Sequence, residues 1–305
     1  MQLVAASGCK PALLRITSVL RLPRSTMYYQ RAVAKAIEAG TPPGHRGPKR
    51  YDDSYLVDLI RKEISDSPFH NEGYRKIWAR LHFKGHSVSK GRVLRIMREN
   101  DLLAGKRHLQ LDLKKEHKGV IIPDHADVMW GADMTQINTR EGTASIFVVL
   151  DHFTSEILGV HAAMIGNRFE AIEAMRQAVR TTGRAYGENC LPGLVLRHDN
   201  GSQYISRDFQ NELKYLGIIS SPSFPYEPQC NGCSERMMRT LKENLLWLKR
   251  YKDVDELNVA LRDFKAGYNA NWMCARHGYH SPSWARNKDL QIRASHQVIA
   301  TTIAA

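Results

Sequence analysis

The alternation of hydrophobic and polar positions changes its period near residue 128. Before that point apolar residues recur at helical spacing. Pro23 separates a helix over Pro11–Leu22 from a short helix that Ser25 can cap, and two helices around such a break predict a helix-turn-helix-like segment over residues 1–38. Residues 51–103 predict three further helices and form a second helical unit.

Two residues define the ends of helices in this second unit. Gly85 follows an apolar stripe at helical spacing, and a glycine in that position is typical of a helix C-terminus. Ser89 then precedes another apolar stripe, where a serine typically caps the first turn of a helix. The pattern therefore predicts a short turn between the second and third helices of the unit.

From residue 128 the apolar segments are short and strand-like. Val128–Ile137, Ala144–Asp151 and Glu156–Met164 are joined by short turns, which predicts an antiparallel meander of three strands. Asn167 then begins a helix with Glu170 three residues later, an arrangement typical of a capping box.

The meander is followed by a strand, a helix and a strand. Leu194–Leu196 is a short apolar segment, a helix begins at Ser206 and stops at Gly217, and Ile218 starts another strand. A strand–helix–strand unit implies a right-handed crossover and a parallel pair. The chain is therefore expected to form an α/β ribonuclease-H-like core, a mixed five-stranded sheet with flanking helices, preceded by all-α helix-turn-helix-type segments.

Composition divides the chain further. Residues 39–50 are rich in Pro, Gly and basic residues and are interpreted as a linker. Residues 104–127 form a basic connector, residues 128–290 the core with its C-terminal helices, and residues 291–305 a tail.

The net charge of +13 lies entirely in the first two-fifths of the chain. Residues 1–120 hold 24 Lys and Arg against 11 Asp and Glu, whereas residues 121–305 hold 20 of each. This asymmetry indicates a DNA-binding front end, although a solvated basic surface is an open alternative. The third helix of residues 51–103 is the candidate recognition helix. Its basic side chains are Lys90, Arg92, Arg95 and Arg98.

Cysteine usage and hydropathy indicate a soluble protein of a reducing compartment, for which the cytoplasm is the default. The five cysteines are odd in number and mostly far apart, which favours free thiols over a disulfide framework. Cys230 and Cys233 form a CxxC pair, but no further ligand pair accompanies it as a zinc site would need. No segment reaches the roughly 18 apolar residues of a membrane helix, so no membrane partner is expected.

Three acidic residues lie at positions where a carboxylate indicates a specific structural or functional role. Asp133 lies inside the first predicted strand, Asp199 lies just past the parallel strand, and Glu235 opens a helix after the loop Pro222–Gly232. The two strands are expected to be neighbours, so the acids can converge. Two carboxylates about 4 Å apart repel by roughly 4 kcal/mol at an effective dielectric near 20. A divalent cation removes that cost, and oxygen ligands favour Mg²⁺ or Mn²⁺, here as a pair of ions.

Each acid also has a structural alternative. Asn200 and Gly201 after Asp199 could form an ordinary turn. Asp133 could pair with a buried base, and Glu235 could simply favour the first turn of its helix. The Glu235 helix argues further for a site, because Arg239 and Lys242 share its face at offsets of four and seven residues and suit a DNA phosphate.

Taken together, these motifs resemble those of a known family. Trp130-x-x-Asp133-x-Thr135, then His198-Asp199-Asn200-Gly201-Ser202-Gln203-Tyr204, then Asn231-Gly232-x-x-Glu235 with Lys242 resemble the retroviral-integrase-type DDE core of OrfB-type transposases of the insertion-sequence-three family. Asp199 and Glu235 are separated by 35 residues, the spacing characteristic of that group. Gly73–Ile77, Val93–Met97, Tyr268-Asn269 and Ser281-Pro282 extend the resemblance over most of the chain.

The resemblance implies a metal-dependent transposase. Asp133, Asp199 and Glu235 would be the catalytic acids and metal ligands, and Asp151, at a common family position, would be structural. The partners would be the terminal inverted repeats and target DNA, a homo-oligomer on that DNA, and the upstream-frame OrfA-type product or a fusion with it.

Two rival functions stay open at this point. A non-catalytic regulator derived from a mobile element would bind DNA without nicking a supercoiled plasmid. A structure-selective ribonuclease-H-like nuclease would cut without joining ends. Strand cleavage separates the first rival from a transposase, and strand transfer separates the second.

Overall fold

A computed structural model of the chain describes residues 24–40, 51–105, 123–223 and 232–304. The predicted helix Pro11–Leu22, most of the linker, the connector from Lys106 to Lys118 and most of the loop before Gly232 lie outside these ranges. The chain divides after Tyr55 into two compact units, a few residues beyond the predicted linker.

The described part of the first unit contains helix α1, Arg24–Glu38. The prediction that Ser25 caps a short helix is wrong, because the helix starts one residue earlier and runs for 15 residues. Good helix formers such as Ala32, Ala34 and Lys35 extend the helix beyond the short length that was predicted.

Residues 51–103 contain three helices, as predicted. They are α2, Asp53–Ser65, α3, Tyr74–Phe83, and α4, Lys90–Glu99. Ser89 caps α4 by accepting a hydrogen bond from the backbone N–H of Arg92 at 3.3 Å. Gly85 follows the end of α3 with φ of +85°, a conformation that favours glycine. Gly85 and Ser89 therefore define the two ends of the turn between α3 and α4.

The sheet has the five strands that the pattern predicted. They are β1, Met129–Asn138, β2, Thr143–Asp151, β3, Ile157–Ala163, β4, Val195–His198, and β5, Ile219–Pro222. Their order is β3-β2-β1-β4-β5; β1 to β3 form the antiparallel meander, and β4 and β5 run parallel to β1. This is the topology of a ribonuclease-H-like fold, and the prediction is confirmed.

Helices cover both faces of the sheet. On one face α5, Arg168–Thr181, and α7, Arg207–Leu216, enclose a core that contains Trp130, Phe147 and Phe209. On the other face α8, Gly232–Leu241, and α9, Val254–Asn271, pack over a core that contains Ile146, Met238 and Leu257. A short helix α6, Ser202–Ile205, precedes α7 and was not predicted.

The cap of α5 differs in one contact from the predicted capping box. Asn167 accepts hydrogen bonds from the N–H groups of Phe169 and Glu170, as expected. The carboxylate of Glu170 does not return to Asn167. It bonds instead to Nε2 of His161 on β3 at 2.6 Å, because the strand brings that ring within reach. The interaction ties the start of α5 to the sheet.

The helical spacing of apolar residues in the Glu235 helix predicts a core stripe formed by Met238, Leu241, Leu245 and Leu248. A π-helical turn shifts that stripe. Residues Lys242–Leu246 continue α8 with a wider turn, in which the N–H of Trp247 donates to the carbonyl of Lys242 five residues earlier. The extra residue in the turn puts Leu246 in the core and leaves Leu248 53% exposed, so the prediction that Leu248 belongs to the core is wrong.

The last helix, α10, spans Pro282–Ala304 and crosses residue 290, where the core was predicted to end. Arg286 at its start is buried and binds the carboxylates of Glu156 and Asp127, with Asp151 3.9 Å away. Asp151 also accepts hydrogen bonds from Thr154 and Asp127. These contacts support its predicted structural role. No helix among the described residues combines the length and apolar character of a membrane span.

Candidate active site

Asp133 lies at an open edge of β1. The pairing of β1 with β4 covers Met129 to Gly131 only, so the edge is unpaired where Asp133 follows two residues later. One oxygen of its carboxylate accepts a hydrogen bond from the N–H of Met134 at 2.8 Å, and Asp133 makes no ion pair with any described residue. The alternative that it pairs with a buried base is therefore unsupported within the described ranges.

Asp199 follows β4 directly, at the same end of the sheet. Its Oδ1 accepts a hydrogen bond from the N–H of Gly201 at 2.9 Å. His198 is held by Ser220 on β5, with 2.9 Å between Nε2 and the serine oxygen. Gly201 then leads into α6, so the Asn-Gly pair does not form a hairpin.

Glu235 lies in the first turn of α8 and its side chain is exposed. The helix packs closely against β1: a Cβ added to Gly131 would lie 2.6 Å from Oγ of Ser234 and 2.7 Å from Nε2 of His152. Glycine at position 131 therefore lets α8 approach β1 two residues from Asp133. The residue that makes this close approach, Ser234, directly precedes Glu235.

The pKa of Asp133 is affected by the charges of both other acids. Burial raises the pKa of Asp133 to about 6, the N–H of Met134 opposes that rise, the charges of Asp199 and Glu235 add to it, and Lys242 lowers it. The phenol of Tyr204 is fully buried and has no hydrogen-bond partner in the part of the chain that the structure describes. Its pKa is raised by burial and then by the charges of Asp133 and Asp199. The fold thus brings together residues that are up to 109 positions apart.

The donor set fits a hard divalent cation. The charges of Asp199 and Glu235 both raise the pKa of Asp133, and carboxylate oxygens of this kind prefer Mg²⁺ or Mn²⁺. As the side chains stand, no three His, Cys, Asp or Glu residues in the described ranges lie close enough together to hold a metal. Of the CxxC pair, Cys233 is described and Cys230 lies outside the described ranges.

The candidate DNA-contacting residues lie in two places. On α8 Arg239 is exposed and Lys242 is half-buried beside the acids. On α4 Arg98 is exposed and Arg92 is half-buried.

Arg95 and Lys90, also on α4, contact residues of the same helical unit. Arg95 pairs with Glu99 at 2.7 Å, and Nζ of Lys90 lies 4.2 Å from the ring centroid of Trp78. Lys90 therefore has an intramolecular role that its sequence position did not indicate.

Sequence reasoning missed two polar side chains at the junction of β1 and α8. Oγ of Ser234 and Nε2 of His152 are both buried and have no hydrogen-bond partner among the described residues. Burial, with the charges of Arg197 and Arg276, lowers the pKa of His152 to about 4. A serine and a histidine 82 positions apart carry no motif, so only the fold reveals that they adjoin.

Comparison with protein families matches three segments. Two family models described as integrase core domain match residues 123–228 and 216–282. A third, described as an HTH-like domain, matches residues 50–117. The matches agree with the helical unit and the sheet as the structure has them.

Comparison with curated proteins identifies transposases. The chain is 24% identical over 253 residues to the transposase for insertion sequence element IS629 of Shigella sonnei, covering 79% of this chain and 83% of that protein. It is 24% identical over 245 residues to transposase InsD for insertion element IS2A/D/F/H/I/K of Escherichia coli, covering 78% and 80%. The transposase for insertion sequence element IS904 of Lactococcus lactis is 32% identical over 118 residues, 39% of this chain and 44% of that protein.

Comparison with solved structures identifies retroviral integrases. The catalytic core domain of BIV integrase is 22% identical, with a TM-score of 0.38 over 56% of this chain and 99% of that chain. The HTLV-2 integrase catalytic core domain in complex with magnesium is 20% identical, with a TM-score of 0.37 over 55% and 99%.

Proposed function

This chain is a transposase of the insertion-sequence type, with an HTH-like domain and an integrase core, and we propose that Asp133, Asp199 and Glu235 are the acids with which it cuts and joins DNA strands. The observation that carries the proposal is the electrostatic coupling of Asp133 to both other acids at the open edge of β1.

The three acids would hold Mg²⁺ or Mn²⁺, as a pair of ions. Metal bound there would supply an activated water or 3′-hydroxyl for attack at a phosphodiester. Asp133 must be ionised to act as a ligand, and Lys242 favours that state. The open edge of β1 leaves room for a DNA strand beside the acids, where the exposed guanidinium of Arg239 can contact its phosphates.

The helical unit would bind the terminal inverted repeats. Its HTH-like match and the exposed Arg98 of α4 support this role. Two element ends must be held together for transposition, so we propose a homo-oligomer on DNA, with the OrfA-type product of the upstream frame, or a fusion with it, as the partner that completes the protein. The bacterial relatives support an association with the chromosome in the cytoplasm.

Replacement of both Arg95 and Arg98 by Ala is expected to weaken binding to duplex DNA and flatten its salt dependence. Removal of one phosphate-binding side chain should lower the slope of log affinity against log salt by about 0.9. Fluorescence anisotropy with an end duplex, at several salt concentrations, measures the slope. Arg262→Ala, an exposed arginine on α9, is the control. An unchanged slope in the double variant would exclude α4 from the DNA interface.

Strand transfer tests the proposed function. The purified chain, with and without the fused upstream frame, is incubated with labelled element ends, a supercoiled target plasmid and Mg²⁺. A transposase converts label into a product joined to the plasmid. Cleavage without joining would favour the nuclease, and binding without cleavage would favour the regulator.

A further inference from the structure

A cavity of about 250 Å³ opens on the side of α8 away from the acids. We call it the α8 pocket. Helix α3, helix α8 and the segment that follows α9 contribute its walls. The side chains that matter here are Lys76, Cys233, Arg236, Trp272, Cys274 and Arg276.

One face of α8 lines this pocket. Cys233, Arg236, Met237 and Thr240 recur at offsets of three, four and seven residues, so they share a stripe of the helix. Glu235 and Arg239 belong to the neighbouring stripe. A single helix thus presents one surface to the acids and another to the pocket, and Arg236 follows Glu235 directly in the chain.

Three basic side chains converge on the α8 pocket. Arg276 donates to the hydroxyl of Ser155, and one of its nitrogens lies 4.0 Å from Sγ of Cys233. Nζ of Lys76 lies 2.9 Å from the ring centroid of Trp272. Arg236 is exposed at the rim.

The acidic partners of these bases do not neutralise them. Lys76 is 3.4 Å from Glu72, but the same carboxylate also binds Arg80 at 3.0 Å. Arg276 contacts a hydroxyl and a thiol, neither of which carries a balancing charge. Burial lowers the pKa of Lys76 to about 8, because the charge of Glu72 offsets only part of the cost of burying the ammonium group. The pocket therefore has a positive excess that an anion would offset.

We propose that the α8 pocket binds a phosphodiester group of duplex DNA, held by Arg236, Arg276 and Lys76. The proposal rests on the proposed function, because DNA is then the polyanion that reaches this helix. DNA would contact α8 on both of its stripes, one phosphate at the pocket and another beside the acids. The Gly73–Ile77 motif gains a function as well, since its Lys76 lies in the pocket.

The pocket contains its own reporter. Cys233 is half-buried in its wall, whereas Cys190 is half-buried against the core on the other face of the sheet. Alkylation of both thiols, followed peptide by peptide with mass spectrometry, is measured on the full chain carrying Asp133→Asn, which prevents cleavage. Saturating duplex DNA should slow alkylation of Cys233 about tenfold and leave Cys190 unchanged.

Variants identify the groups responsible. Arg236→Glu changes an exposed side chain, so folding is preserved, and it should abolish the protection of Cys233 by DNA. Arg236→Ala combined with Arg276→Ala should have the same effect. Arg236→Lys keeps the positive charge and should retain the protection. End duplex and random duplex are tested separately. Protection by the end duplex alone assigns the phosphate to the element end, and equal protection by both assigns it to DNA of any sequence.

The result that overturns the proposal is unchanged alkylation of Cys233 on DNA that anisotropy shows to be bound. The proposed function fails in a different way: the protein with its natural Asp133 would not cut or join DNA, whatever happens at Cys233. Activity without protection therefore refutes the pocket alone. Protection without activity refutes the catalytic assignment and leaves the pocket as a DNA site.

Discussion

Replacing Asp133 with asparagine is expected to lower the rate of DNA strand cleavage by on the order of 10³-fold or more, because an amide cannot complete a divalent-metal site built from carboxylates. Asp199→Asn and Glu235→Gln should have the same effect. The measurement is single-turnover cleavage of a labelled end duplex with Mg²⁺. DNA affinity should change less than threefold, since the acids repel the DNA backbone rather than hold it.

The matched control for these substitutions is Asp208→Asn. Asp208 is an exposed acid on α7 that pairs with Arg168, away from the open edge of β1. This variant should cleave at the natural rate. If it lost activity as well, or if Asp133→Asn cleaved normally, the three acids would have no special role.

The same Asp133→Asn change is expected to stabilise the metal-free protein at alkaline pH. The folded protein holds the pKa of Asp133 at about 6, above its ordinary value of 3.8, so ionisation of this group costs stability. The cost is absent below about pH 4, grows between pH 4 and 6, and is then constant at roughly 1 to 3 kcal/mol.

Thermal unfolding in EDTA at pH 4 and pH 8 measures that difference. The variant and the natural protein should unfold together at pH 4, and the variant should be the more stable at pH 8. Added Mg²⁺ should reduce the difference in stability between the two proteins at pH 8, because it stabilises only the natural protein. If the variant and the natural protein were equally stable at pH 8, the raised pKa of Asp133 in the folded protein would be contradicted.

Gly159→Ala is expected to remove most of the stability of the core. Gly159 on β3 faces α5, and an added methyl group would overlap the carbonyl oxygen of Ala174 and lie 3.1 Å from the backbone nitrogen of Ala178. Backbone atoms of a helix cannot turn aside as a side chain can, so α5 must move off the sheet. We expect the free energy of unfolding to fall by at least about 3 kcal/mol. For a chain of this size that corresponds to a fall in Tm of roughly 10 °C.

Gly267→Ala is the control for that experiment. Gly267 lies within α9, and no heavy atom would lie within 4 Å of an added methyl group. Alanine is the better helix former, so a gain of up to about 1 kcal/mol is expected. Calorimetry of both variants checks the pair, and an undisturbed Tm in Gly159→Ala would show that β3 and α5 pack less tightly than these distances imply.

The sheet could be predicted from the sequence because adjacent residues define each strand. Each strand of the meander is a short apolar segment between turns, and the observed ends differ from the predicted ends by at most one residue. Ser89, Asn167 and Gly217 marked helix ends because capping depends on adjacent backbone groups. The placement of Asp133 and Asp199 followed from the strand order.

Other features depend on contacts between distant segments and had no local signal. The π-helical turn moved Leu246 into the core, although the helical period pointed to Leu248. The carboxylate of Glu170 found His161 instead of its own helix end. The α8 pocket joins Lys76 to residues about 160 to 200 positions later, which no spacing rule connects. Such contacts become visible only once the fold is known.

Crystals of the full chain soaked in Mn²⁺, with anomalous diffraction recorded at the manganese edge, test the central assignment most directly. We expect manganese bound by carboxylate oxygens of Asp133, Asp199 and Glu235, as two ions roughly 3.5 to 4 Å apart when DNA is present. Manganese bound elsewhere, or bound at this edge of β1 without Asp133, would contradict the assignment.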